Sequence, residues 1–124
     1  MSTYFALAVG GVLGCWARYG LTQLIQSLFG RNFPLATLCV NVLGSFALAF
    51  LFVLTLERVV ISPVVRTGML TGGLGAFTTF STFMMEALLL VEEGEAAKAV
   101  LYLALSLSLG LSAAFAGVLL ARNL

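Results

Sequence analysis

An all-α membrane protein, four transmembrane helices with a break in helix 3, is the fold the sequence predicts, and three observations predict it. Hydrophobic residues make up 61% and charged residues 9% of 124 positions, far from the balance of a soluble domain. Four apolar runs, about 4–28, 35–56, 65–91 and 97–120, each reach the roughly 20 residues that a span needs at about 1.5 Å per residue. Within the third run lies TGGLGAFTTFSTF, Thr71 to Phe83. Its glycines at 72, 73 and 75, followed by four hydroxyl residues, free backbone groups where lipid offers them no partner.

The first run has no basic segment before it and exceeds a signal-peptide core, so it is expected to stay as a span. The second, ATLCVNVLGSF and onward, carries one amide, Asn41, among apolar and small residues. The third is the interrupted one. The fourth repeats Tyr102, Ser106, Gly110 and Ala114 at i+4 steps, a small-residue face suited to close helix contact. Connectors at 30–34, 57–63 and 92–95 are too short to fold separately, which leaves one transmembrane domain over residues 1–124 and places all chemistry within the membrane. Four spans enclose little interior, so oligomerisation is expected.

Basic residues near the helix ends bear on orientation. Arg58, Arg66 and Arg122 share the side of the N-terminus, while Arg31 and Lys98 lie on the other, with Arg18 added if it snorkels. That near-balance points to insertion in both orientations and to an antiparallel, dual-topology homodimer; a weak single orientation is the alternative. Cys15 and Cys39 stand in separate runs without metal-ligand spacing and read as small packing residues. With no His, no Asp, no P-loop and no nucleophile-with-base pattern, the chain is read as no enzyme. Its scattered basic residues offer nothing to nucleic acid.

Several polar groups are expensive where they stand. Asn41 shares a face with Thr37, Gly44 and Ser45. It is either an interhelical clamp, worth about 0.6 kcal/mol, or an anion donor that adds no charge. Phe80 and Phe83, one turn apart, are either core or a pair of positive ring edges that solvate a small anion weakly. Thr78, Thr79, Ser81 and Thr82 either repair the broken backbone or donate to a passing ion. Carbonyls freed at Gly75 to Thr78 become acceptors, and two copies of the break meeting at a dimer axis would cage a bare cation such as Na+. Arg18 and Glu86 each cost on the order of 3 kcal/mol at a helix centre. Arg18 follows Gly10 and Gly14 on one face, suiting an anion-attracting vestibule, and Glu86 continues the stripe of Thr82 and Phe83; snorkelling is the alternative for both. Tyr102 and Ser106 form either part of a packing face or a hydroxyl track beside that stripe.

Three segments, GGVLGCWARYG, ATLCVNVLGSF and GGLGAFTTFSTF, resemble those of the Fluc (CrcB) family of fluoride channels, bacterial inner-membrane proteins, and the resemblance covers the whole chain. It implies two antiparallel subunits, two pores and passive exit of fluoride from the cytoplasm. It further implies that Asn41 lines the pore, that the ring edges of Phe80 and Phe83 meet fluoride, and that Gly75 and Thr78 supply carbonyls to a central Na+. The family's polar track on the fourth helix points to Tyr102 and Ser106. Ala36 replaces the glycine that the family often has before Thr37 and Leu38, which bears on helix packing there. The acid-base logic follows: neutral hydrogen fluoride crosses membranes and dissociates inside, and a negative-inside potential then drives the anion out through a selective pore. A small multidrug-resistance transporter, also of four spans, would be expected to carry a carboxylate in its first helix, and none is there. A non-transporting assembly subunit would explain the small-residue faces but not a polar, broken helix.

Overall fold

The computed structural model describes residues 2–124 and, among them, contains helices and turns with no strand. Helix α1 (Thr3–Phe29) starts where the Ser2 hydroxyl accepts from the Phe5 N–H at 3.1 Å, and ends at Gly30, whose φ of 77° reverses the chain. Helix α2 (Leu35–Glu57) follows Pro34. The third span opens with α3 (Pro63–Thr67), with Pro63 in its first turn and the Ser62 hydroxyl accepting from the Val65 N–H at 3.2 Å. It continues as a π-helix over Gly68–Leu74, makes one α turn, α4 (Gly75–Phe77), breaks, and resumes as α5 (Ser81–Glu92). A turn at Gly94, φ 79°, leads into α6 (Ala96–Arg122).

Three stretches are long and apolar enough to cross a membrane: Leu35–Glu57, Pro63–Glu92 and Ala96–Arg122. At 27 residues α1 has the length, but Arg18, Gln23 and Gln26 lower its hydropathy below that of the other three. The expected ends agree with the observed helices to within about two residues. Only 6% of the most apolar window of α6 is buried, so most of its apolar surface faces outward to lipid or to another chain.

Helix α2 lies chiefly against α6, and α1 against the π segment. The core is correspondingly small: Leu38, Phe83, Ala87, Leu90, Ala99 and Tyr102, flanked by Phe33 and Val42. The connector after α2 and the C-terminus meet at one end, where Arg122 pairs with Glu57 at 3.4 Å and the Arg58 guanidinium donates to the Arg122 carbonyl. Arg66 is tied to the same end of α2: its Nε donates to Thr55 Oγ1 at 2.8 Å, its Nη2 to the Phe52 carbonyl at 3.1 Å, and its guanidinium lies 4.6 Å over the Phe52 ring. The opposite end gathers Arg31, Asn32 and Glu93 around one cavity.

The sequence places the break within Thr71 to Phe83, and the structure narrows it to its later part. Gly68 through Gly75 stay helical, and the chain opens only at Thr78–Phe80, where Thr78 adopts φ −86° and ψ 161°. The glycines serve contact instead. A Cβ on Gly14 would run into the Gly73 carbonyl, and one on Gly10 into that of Gly68, so α1 and the π segment touch backbone to backbone. Gly14→Ala is therefore expected to cost about 1–3 kcal/mol by overpacking, read as lost resistance to heating in detergent. At Gly11 no atom stands within 4 Å of the added carbon, and Gly11→Ala is expected to be neutral or to gain up to about 1 kcal/mol.

Candidate functional site

The break is held by one side chain from another helix. In a continuous helix the Thr79 N–H would donate to the Gly75 carbonyl; here it donates to Asn41 Oδ1 at 2.8 Å, and Asn41 Nδ2 returns a hydrogen bond to the Thr79 carbonyl at 2.9 Å. Both polar backbone groups of Thr79 are thereby satisfied from α2, across 38 positions of sequence. The clamp needs α2 close by. A Cβ on Gly44, one turn from Asn41, would strike the Thr78 methyl group, so Gly44 is what lets α2 approach the break.

Of the two roles left open by the sequence, the Thr78 and Thr79 hydroxyls take backbone repair. Thr78 Oγ1 donates to the Leu74 carbonyl at 3.1 Å, and Thr79 Oγ1 accepts from the Thr82 N–H at 3.3 Å, capping α5. Thr79 Oγ1 also lies 3.1 Å from Thr82 Oγ1, to which it donates. Ser81 and Thr82 are exposed at the start of α5. Four successive carbonyls, those of Gly75, Ala76, Phe77 and Thr78, gain no backbone donor from this arrangement; for Gly75 the Thr79 amide turns to Asn41, and for Thr78 the Thr82 amide turns to Thr79 Oγ1. Gly75 is exposed and Thr78 half-buried. Among the described residues no three His, Cys, Asp or Glu side chains come together to hold a metal ion, so the oxygen atoms standing at the break are main-chain carbonyls and the hydroxyls of Thr78, Thr79, Ser81 and Thr82.

Phe80 and Phe83 are not equivalent. Phe83 is 6% exposed and Phe80 72% exposed, and their rings meet edge to face with centroids 6.1 Å apart. Phe83 also meets Tyr102 edge to face at 5.0 Å, and Tyr102 meets Phe33 at 5.6 Å. Fully buried Tyr102 donates from its hydroxyl to Glu86 Oε1 at 2.9 Å. One turn along α6, Ser106 Oγ is buried with no hydrogen-bond partner, whereas Ser108 bonds back to the Ala104 carbonyl of its own helix at 2.6 Å.

Three cavities border these groups. One of about 220 Å³ is lined by Asn41, Ser45, Thr78, Thr79, Phe80 and Phe83. A second, of about 280 Å³, lies on the other side of Thr79 and is lined by Arg18, Gln26, Thr37, Thr79, Thr82 and Glu86. The third, of about 220 Å³, includes Glu86 with Arg31 and Glu93. Thr79 is common to the first two and Glu86 to the last two. The three cavities thus share lining residues between the break and the Arg31 end of the chain. Half-buried Arg18 faces the middle cavity. Cys15, expected as a packing residue, is exposed beside it. Gln26 was not singled out from the sequence, although Arg18, Thr22 and Gln26 stand at successive i+4 steps and so form one polar stripe.

A multi-pass helical membrane protein with a polar interruption inside one span, clamped by an amide and bordered by aromatic rings, belongs among the proteins that handle small solutes or ions within the bilayer. The family described as CrcB-like protein, Camphor Resistance (CrcB), matches residues 5–118, and the chain belongs to it. It is 57% identical over 122 residues to the fluoride-specific ion channel FluC of Acidithiobacillus ferrooxidans, covering 98% of each chain. It is also 43% identical over 124 residues to the protein of that name from Geobacter sulfurreducens, covering 100% of both. To the Methylococcus capsulatus protein of that name it is 45% identical, covering 97% of this chain and 53% of that one.

Proposed function

We propose that the protein is a fluoride-selective channel through which fluoride leaves the cytoplasm passively across the bacterial inner membrane, protecting the cell from fluoride. The observation that carries this reading is the clamped break: Asn41 and two phenyl rings border one cavity, in a chain matched over nearly its full length by relatives named as fluoride-specific channels. Asn41 Nδ2 has two hydrogens; one is held by the Thr79 carbonyl, and the other is available to an anion in that cavity. Ring edges of Phe80 and Phe83 add weak positive potential without a full charge, so an ion that enters can also leave. Arg18 attracts the anion toward the middle cavity, and Ser81, Thr79, Thr82, Glu86, Tyr102 and Ser106 supply the polar border of its path.

In this reading two copies pair as an antiparallel, dual-topology homodimer. The exposed Phe80 and Gly75 in mid-span are surfaces that a second copy would cover. The Gly75 and Thr78 carbonyls fit a structural, monovalent cation, Na+, at the dimer axis, since both lack a backbone donor and no carboxylate stands in the break. Bound there, Na+ would supply positive charge that holds carbonyls of two subunits together.

Purified protein in liposomes loaded with potassium fluoride tests the function. On adding a potassium ionophore, a fluoride electrode is expected to record efflux that needs no proton gradient and is at least about a hundredfold faster than chloride efflux under the same gradient. Absence of fluoride flux, or flux that requires a proton gradient, would refute the channel reading.

A further inference from the structure

The two hydrogen bonds of Asn41 do more than line a cavity. They divert the one amide that an uninterrupted helix would have aimed at the Gly75 carbonyl. Without the Asn41 side chain the Thr79 N–H would lose its partner in low-dielectric surroundings, where an unsatisfied amide is costly. The acceptor that α-helical winding through the break would give it is the Gly75 carbonyl, four residues back.

On the reading that Gly75 and Thr78 hold Na+, we propose that Asn41 is a positioning residue for that cation: it keeps the Gly75 carbonyl free by occupying the amide that would otherwise take it. One residue then serves both ions. Its Oδ1 and one Nδ2 hydrogen set the break, and the second Nδ2 hydrogen faces the anion. Cation affinity is therefore tied to a side chain that contributes no atom to the cation.

The two functions separate by substitution. Asn41→Asp keeps an oxygen for the Thr79 N–H, so it preserves the diverted amide while removing both amide hydrogens, the one held by the Thr79 carbonyl and the one offered to fluoride. Asn41→Ala removes the oxygen as well. The test is equilibrium binding of radioactive sodium to full-length protein in sodium-free N-methylglucamine buffer, with thermal resistance measured across the same sodium titration. Wild type is expected to bind and be stabilised; Asn41→Asp is expected to reach half-saturation at no higher sodium than wild type, although fluoride flux is lost. Asn41→Ala is expected to need at least about tenfold more sodium in both measurements. Should Asn41→Ala not assemble, Asn41→Ser carries the same test, because its hydroxyl is too short to reach both Thr79 groups. Half-saturation of the Ala or Ser variant at the wild-type sodium concentration would overturn the positioning role and leave the cation reading intact. Failure of wild type to bind sodium would overturn both.

Discussion

Replacing either Phe80 or Phe83 with Ile is expected to abolish fluoride flux while the protein still purifies in its assembled form. Isoleucine keeps apolar bulk but has no positive edge, so an anion between these positions loses its solvation. The two variants should differ in stability. Phe83 is buried and meets Tyr102 edge to face at 5.0 Å, so Phe83→Ile forfeits an aromatic contact worth about 0.5–1.5 kcal/mol beyond its area. Phe80 is exposed in the single chain, and Phe80→Ile is expected to leave the subunit fold unchanged. Flux per assembled protein, measured with a fluoride electrode on liposomes, should fall at least about a hundredfold in both. Conduction by both variants at the wild-type rate would make the phenylalanines packing residues and end the ring-edge mechanism.

Biasing the insertion of the chain is expected to silence it. Arg58, Arg66 and Arg122 at one end face Arg31 and Lys98 at the other, with Arg18 in the cavity between. Val59→Lys with Val60→Lys loads the connector end at exposed positions, and Ala96→Lys with Ala97→Lys loads the opposite end at exposed positions. Each pair should drive the chain into one orientation. If the working unit is antiparallel, either variant alone should lose at least about tenfold of its flux, and co-expression of the two should restore it. Reporter fusions would show the orientations directly, and wild-type copies that all insert one way would sink the dual-topology reading.

How much of this was legible in the sequence differs by element. Helix positions were, because length and hydropathy decide them locally, although only the last three runs prove apolar enough to cross a membrane. Gly10 and Gly14, spaced with Arg18 on one face, read as a close helix contact, and both lie against the backbone of the π segment. The segment holding the break was legible as well, but not that its glycines stay helical. Gly72, Gly73 and Gly75 weaken a helix by composition, but tight contact with α1 gives the glycines before the break another use, and a π-helix leaves no periodic signature. The sequence also left Asn41 divided between clamp and donor. Its partner is 38 residues away, and only the assembled helices show the clamp. Similarly, the i, i+3 spacing of Phe80 and Phe83 placed them on one side of a helix but could not foresee that the chain resumes its helix at Ser81, leaving one ring exposed and the other buried.

The π segment also makes the third span a matter of phase. At Gly75 the amide reaches back five residues to the Leu70 carbonyl, which is the winding of an α-helix that has taken in an extra residue. One residue corresponds to about 100° of rotation around a helix axis. Adding one more residue within 68–74 would consequently swing Thr78, Thr79 and Phe80 away from Asn41 even if every side chain around the break were kept, whereas removing one would let the segment close to α-helical winding with the break still in phase. Chain length in this stretch carries information of the same rank as residue identity, whereas the 58–62 connector, which ends in a fresh helix cap at Ser62, can absorb such a change without turning the break.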